Sequence, residues 1–448
     1  MQTGIRDFLE QLKAAGELVT VDKPVDPRDI TGLLTSTSKA VLLHNVTEYD
    51  DFSVVGGIAR DRNKVALGFG LTPDELAKKM QEVYRERIPT KTVTDAPLKE
   101  VIIHEKDIDL TYLPWVLQHV KDGGAYIGSG VQFINHERYG TDAGMYRHMF
   151  LTTKTMAVDF NTPNDIRTYY AELQEQGRPM EMAVAIGLHP IELLASAVSL
   201  KPGDNEMEFA GALRGEPVEM IRCETIDVEV PANAEIILEC EVLADGWVTD
   251  EGRYGEFHGV SGDVKNNPIV RVKAITHRKN PIFHSLVMPG ETTSITGPFG
   301  QVRAIEFLRE AGYRAKAVRM VPGSVGFEMY VSLDHPKPGD GKGALLALLS
   351  RFMIKKVTVF DDDIDIFDDE QVHWAEALRV QASKDVLIVT NCPAKHMDPT
   401  VYHAKLPRGR LPVTDKMGID ATIPADIPRL AYERCQHFNP KGLQAEKY

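Results

Sequence analysis

The run Asp250-Glu251-Gly252-Arg253-Tyr254-Gly255-Glu256-Phe257-His258-Gly259 sets two carboxylates five residues apart, with an arginine between them and three glycines around them. In a regular strand, side chains an odd number of residues apart point to opposite faces. In a helix, positions five apart lie off each other's face. Glu251 and Glu256 can therefore share a pocket only where the glycines break the regularity, in a bulge or a tight loop. Two readings stand at this point: an acid/base site, or the solvated tip of an acidic hairpin.

The segments around this loop are chiefly extended. Apolar alternation bounded by turn residues predicts strands over 127–133, 146–153, 182–186, 234–243 and 269–276, with one amphipathic helix over 165–176. Strands in succession with glycine and proline turns point to a barrel or a sandwich. Before them, Ile5, Phe8, Leu9 and Leu12 mark a helix over 5–15 that Gly16 stops, and strands are expected over 41–46 and 53–57. Thr72-Pro73 reads as N-cap and first helical residue of a second helix, and 101–115 as a connector into a new domain. The last third alternates: helix 302–310, strand 325–333, helix 343–353, strand 356–360, helix 370–380, strand 385–390, an α/β layer. From Met397 onward, proline and charge predict an irregular tail.

Composition narrows the function classes. The chain has 448 residues, 43% hydrophobic and 26% charged, as in ordinary soluble proteins of two or three domains. A formal net charge of −14 argues against nucleic acid or an anionic membrane as partner. The four cysteines form no CxxC pair, so neither a zinc knuckle nor a disulfide framework is expected, and reduced thiols fit a cytoplasmic protein. The N-terminus reads as an amphipathic helix and not a signal peptide, and no run of about 18 apolar residues suggests a membrane span.

Three further stretches could carry chemistry. In Asp142-Ala143-Gly144-Met145-Tyr146-Arg147, a short turn enters a strand with an arginine that could keep one of two nearby carboxylates ionised and leave the other to carry a proton. The segment from Ala195-Ser196-Ala197-Val198 to Glu206-Met207-Glu208-Phe209-Ala210-Gly211 offers, with Asp142, oxygen ligands that suit magnesium, manganese or potassium better than zinc. The acid run 360–370 reads as a strand end that caps the following helix. No GxxxxGK[ST], strand-to-helix GxGxxG or Gly-x-Ser-x-Gly occurs. His258 and His284 are candidates only to line a pocket.

In this order, the stretches resemble the UbiD family of decarboxylases, which use prenylated flavin mononucleotide. Asp122-Gly123-Gly124 through Gly130-Val131 is similar to the family's entry strand, and Gly144-Met145-Tyr146-Arg147 to its flavin-binding Gly-x-Tyr-Arg. Glu206 through Pro217 resembles its Glu-x-x-x-Ala-Gly segment, and Glu251 through Gly259 its Glu-Gly-Pro-Phe-Gly-Glu-Phe-x-Gly motif. The segments 359–365 and 416–422 also look like family segments.

The resemblance implies an α/β (α+β) protein with a mixed N-terminal domain over 1–110, a central flavin-binding split β-barrel over 111–300, and a C-terminal α/β domain over 301–448 that oligomerises. Arg147, Glu251 and Glu256 would form the family's Glu-Arg-Glu network, with Glu256 as proton donor and Glu251 its partner across Arg147. Met145, Tyr146 and Arg147 would line the flavin, and Pro163, Asn164 and Glu206 complete the cofactor-binding set. The family's divalent ion, manganese or magnesium, would fall to Asp142, Asn164 and Glu206, and its potassium to Ala143, Ala195, Ser196 and Val198. Asp142 stands where asparagine is usual, Asn164 where histidine is usual, and Arg253 where proline is usual. The activity implied is non-oxidative decarboxylation of an aromatic, heteroaromatic or α,β-unsaturated acid. A prenyl-FMN synthase would supply the cofactor, and a homodimer or larger assembly is expected. The alternatives are a non-catalytic flavin-binding subunit and a hydrolase that uses the two glutamates as acid and base.

Overall fold

The computed structural model describes residues 4–160, 164–198, 200–201, 203–395, 397–401 and 412–435. Pro163 lies outside these residues. By packing, the chain divides into two compact units, one drawn from 1–303 and 393–413 and the other from 304–392 and 414–448. The fold is mixed α/β, as the sequence predicts.

In the first unit, helix Ile5–Ala14 buries Ile5, Phe8, Leu9 and Leu12, and the chain turns at Gly16 with φ +71°. Thr72 and Glu75 form a capping box on helix Pro73–Val83, with Pro73 in its first turn. Strands Leu18–Val21, Ala40–Leu43, Ser53–Gly56 and Ile282–His284 make a small sheet. Its last strand comes from after the glutamate loop, so the loop is tethered to the N-terminal layer.

The main sheet has nine strands. Eight follow one antiparallel path: Tyr126–Ile127, His148–Thr152, Thr155–Val158, Ile269–His277, Ile236–Val242, Met180–Ile186, Val131–His136 and Gly140–Met145. Val101–His104, expected as part of a connector, pairs with Ile269–His277 as the ninth. The expected strand over 127–133 is broken in two at Gly128-Ser129-Gly130.

One connection sets the curvature. Gly140–Met145 ends the path, yet only Tyr146 and Arg147 separate it from His148–Thr152, near the other end. Laid flat, the intervening strand spacings would separate these two strands by about 29 Å. Three Cα steps reach about 11 Å at most. The sheet must curl until its two ends nearly meet, giving a split barrel. The dipeptide Tyr146-Arg147 bridges the split, where the Gln132 amide donates to the Tyr146 carbonyl (3.1 Å). The expected strand over 146–153 starts two residues late for this reason.

The second unit holds a five-stranded sheet in the order Ala315–Met320, Glu328–Leu333, Lys356–Asp361, Val413–Ala421, Val386–Pro393, its middle three strands parallel. Helices Asp340–Arg351 and Asp369–Arg379 accompany it. Two expectations are corrected. The tail is not wholly irregular, because Val413–Ala421 is an interior strand. Its buried positions include Thr414 and Lys416, which hide the alternation, and the Lys416 ammonium is satisfied by the Leu349 and Phe352 carbonyls (2.8 and 2.7 Å). The helix expected over 302–310 begins at Glu291 and runs through Gly297-Pro298, a pair that ordinarily interrupts a helix. The acid run behaves as a cap: Asp368 accepts from the backbone of Glu370 and Gln371, while Asp363 pairs with Arg379.

Candidate active site

Arg147, at the split of the barrel, is held from three sides. Its Nε and Nη2 donate to the two oxygens of Glu251 (2.8 and 3.0 Å), and its Nη1 donates to Glu256 Oε1 (2.7 Å). Its Nη2 also meets Asp159 Oδ2 at 2.9 Å. Glu251 is fully buried and Glu256 nearly so. Burial works against the charge of Arg147, but Asp159, Glu256 and Glu251 more than offset it and hold the guanidinium above its ordinary range.

Glycine geometry brings the glutamates together. Glu251 ends strand Thr249–Glu251, which pairs with Lys265–Asn267, and Gly252 follows with φ +108°, a conformation that excludes a Cβ. Tyr254 then turns inward, 3% exposed, under the Arg147 guanidinium, 4.9 Å from ring centre to Cζ. Gly255 donates its N–H to Asp122 Oδ1 (2.9 Å), and a Cβ there would lie 2.2 Å from His119 Nδ1. From the other side, the Gly123 N–H donates to the Arg253 carbonyl (2.7 Å). The family-like segment at 122–124 thus clamps the loop in place.

Asn267, also fully buried, donates its amide to Glu251 Oε2 (3.0 Å) and accepts from the Phe160 N–H (3.3 Å). Both oxygens of Glu251 are therefore engaged, whereas Glu256 meets Arg147 through Oε1 alone. Burial raises the Tyr126 and Tyr254 phenols, so both rings stay neutral.

A second cluster lies along strand Gly140–Met145, against which helices Asp165–Glu175, Pro190–Ser196 and Glu206–Arg214 pack. Glu206 is 4% exposed and accepts the Ala143 N–H through Oε2 (3.0 Å). Burial, and then Asp165, push the Asp142 carboxyl up to about 7, and its Oδ2 is buried without a hydrogen-bond partner. Glu206 is raised by burial and then by Asp142. Such a pair is costly to leave uncompensated and suits a hard cation. Asn164 Oδ1 caps helix Asp165–Glu175 by accepting the Arg167 N–H (2.9 Å), and its side chain also bonds the Tyr146 phenol near Asp142 and Glu206. Ser196 Oγ donates to the Glu192 carbonyl (2.8 Å), in the last turn of helix Pro190–Ser196.

Asp159 and Asp165 escaped the sequence reading. Each is a lone aspartate beside an element end, without a motif. The signal for Asp159 was its place directly after the strand that hairpins with the one following Arg147. His258 and His284 do not join the Arg147 cluster. The His258 Nδ1 accepts from Val260 (3.2 Å), and the fully buried His284 lies 3.9 Å from Glu291.

Comparison with known proteins supplies the family. Residues 9–84, 91–292 and 295–421 match, in order, the N-terminal, Rift-related and C-terminal domains of UbiD, 3-octaprenyl-4-hydroxybenzoate carboxy-lyase. Anhydromevalonate phosphate decarboxylase of Methanosarcina mazei is 31% identical over 93% of this chain and 95% of its own length. The chain belongs to the UbiD family. It is accordingly a carboxy-lyase. The UbiD-class enzyme HmfF from Pelotomaculum thermopropionicum, solved with FMN, superposes with a TM-score of 0.89 at 31% identity, covering 99% of this chain and all of that one. Vanillic acid decarboxylase of Sedimentibacter hydroxybenzoicus gives 0.86 at 28% identity, covering 98% and 96%. Among the described residues, no helix is long and apolar enough to cross a membrane.

Proposed function

We propose that this UbiD-family chain decarboxylates an aromatic, heteroaromatic or α,β-unsaturated carboxylic acid without oxidation, using prenylated FMN, with Glu256 as proton donor. The supporting observation is the asymmetric hold of Arg147 on two buried glutamates, bidentate to Glu251 and single to Glu256. The doubly held carboxylate is committed to the arginine, and the singly held one is the better placed to act on a substrate. Glu251, with both oxygens engaged, orients the arginine. Glu256, held through Oε1 alone, carries the proton to the carbon that loses the carboxylate.

When bound, the flavin supplies the sink for the electrons released as the carbon–carbon bond breaks. Met145, Tyr146 and Arg147, at the split of the barrel, are the residues assigned to line it. Asp142 and Glu206 would hold a manganese or magnesium ion, because they form a buried acidic pair with one oxygen orphaned. Asn164 and Asp165 are the further oxygen donors we assign, Asn164 because its side chain also bonds the Tyr146 phenol near this pair, and Asp165 because its charge acts on both Asp142 and Glu206. Oxygens of Ala143, Ala195, Ser196 and Val198 are assigned to potassium, the last three at the carbonyl-rich end of a helix. A prenyl-FMN synthase supplies the cofactor, and the enzyme works in the cytoplasm as a homodimer or larger assembly.

The names of the relatives cover vanillic acid and anhydromevalonate phosphate, so the substrate class is kept at acids conjugated to a π-system. The test is co-expression with a prenyl-FMN synthase, followed by carbon dioxide release over aryl, furan, pyrrole and acrylic acids. The expected result is release from at least one of them. Flavin bound with no release from any would favour a non-catalytic flavin-binding subunit instead.

A further inference from the structure

The guanidinium of Arg147 carries three carboxylates, one more than the two glutamates its function calls for. The third, Asp159, is placed by sheet register. Strands His148–Thr152 and Thr155–Val158 form a hairpin in which Val158 pairs with His148. One residue beyond that pair, the Asp159 N–H donates to the Arg147 carbonyl (3.3 Å), so the two side chains leave the hairpin side by side. Asp159 Oδ2 meets Arg147 Nη2 at 2.9 Å, with the aspartate side chain 15% exposed and the arginine side chain 9% exposed. The contact is shielded enough for its charge to matter.

Charge counting gives the consequence. Asp159, Glu251 and Glu256 bring three negative charges to one guanidinium. A further cation, Lys265, stands with its Nζ 3.8 Å from Asp159 Oδ2. Glu251 already fixes the plane of the guanidinium through two hydrogen bonds, so Asp159 is not needed for orientation alone. What it adds is negative charge on the arginine that faces Glu256, which weakens the pull of Arg147 on the anionic form of Glu256.

Other groups near this loop have partners of their own, and Arg253 Nε donates to the Gly262 carbonyl (3.1 Å). On the loop itself, Tyr254 is a phenol kept neutral by burial, and the His258 Nδ1 accepts a backbone N–H. From the segment before Tyr126, His119 and Asp122 pair with each other at 3.3 Å. Lys395 stands over the Phe257 ring, 4.9 Å from its centre.

We propose that Asp159 is a positioning residue for the proton transfer: by sharing Arg147, it keeps the proton on Glu256 to higher pH than the Arg147–Glu251–Glu256 set alone would. The inference rests on the role proposed for Glu256. A like charge that shares one guanidinium with a carboxyl is expected to move it by about one pH unit when removed.

The test uses the cofactor-loaded enzyme and the variants Asp159→Asn, Asp159→Glu and Lys265→Met. In Asp159→Asn the alkaline limb of the kcat profile should fall about one pH unit earlier. Asp159→Glu should restore the limb, and Lys265→Met should move it the opposite way. An unmoved limb with a lowered plateau would mean that Asp159 only braces the hairpin, and would overturn the proposal. The infrared carboxyl band that disappears in Glu256→Gln, titrated on the same purified proteins, reads the coupling without turnover. If that band shifts in Asp159→Asn while no acid releases carbon dioxide, the coupling stands and the proposed activity fails. If carbon dioxide is released but neither limb nor band moves, the activity stands and the role of Asp159 is refuted.

Discussion

Replacing Gly123 by alanine aims a methyl group at the backbone of the glutamate loop. A Cβ built on Gly123 would lie 1.7 Å from the Gly252 carbonyl oxygen, 2.4 Å from its carbon and 2.8 Å from the Arg253 nitrogen. All three are main-chain atoms, so no side-chain rotation relieves the clash. Opening the shortest contact to the 3.0 Å that real Cβ atoms respect requires about 1.3 Å of relative movement. The Gly123 N–H bond to the Arg253 carbonyl (2.7 Å) resists the separation, so the shift passes to the residues flanked by Glu251 and Glu256. A displacement near 1 Å at reacting groups lowers rates by about 100-fold. Forced overpacking costs about 1–3 kcal/mol of stability. Carbon dioxide release by Gly123→Ala should fall by about two orders of magnitude, with a melting temperature lowered by a few degrees and the flavin still bound. Turnover within about threefold of wild type would refute the clamp between residues 122–124 and the loop.

Three further outcomes follow from the same geometry. Glu251→Ala strips the bidentate partner from a buried arginine and should cost about 3 kcal/mol in urea unfolding; a loss under about 1 kcal/mol would show that Asp159 and Glu256 compensate. The hydrogen bond to Asp122 raises His119 above its ordinary 6.5 despite partial burial, so the stability it contributes is fully present below pH 6.5 and is lost as pH rises through the raised value. The unfolding free-energy gap between wild type and Asp122→Asn should therefore shrink as pH climbs above 6.5, and a gap constant up to about pH 9 would contradict this. Manganese at about 100 times its dissociation constant should stabilise the protein by about 2.7 kcal/mol, an increment that Glu206→Gln or chelation removes. An equal manganese response in Glu206→Gln would move the cation elsewhere.

The sequence was most informative where spacing and glycine constrain the backbone. The helix face of Ile5, Phe8, Leu9 and Leu12, the Thr72–Glu75 capping box and the need to break regularity between Glu251 and Glu256 all follow from local rules. Most barrel strands were legible as strands, but Gly140–Met145, whose end was read as a turn, and Thr155–Val158 were not, and neither was their closure. It depends on a two-residue link at 146–147, whose meaning appears only once the strand order is known. Strand Val413–Ala421 escaped because Lys416 is buried against helix carbonyls, which no hydrophobic pattern announces. Asp159 and Asp165 escaped because register and charge coupling, not motif, place them. The Glu291–Glu310 helix was shortened by a Gly-Pro pair that ordinary breaker rules read as an end.

The central claim is that Glu256 carries the proton, and its most direct test is the Glu256→Gln variant loaded with prenylated FMN. Glutamine keeps the side-chain shape and can still face Arg147, but has no proton to give. The account predicts that the variant binds flavin as wild type does and loses carbon dioxide release by at least about 100-fold, the low end of what a general acid contributes. Near-normal release from the flavin-loaded variant would contradict it.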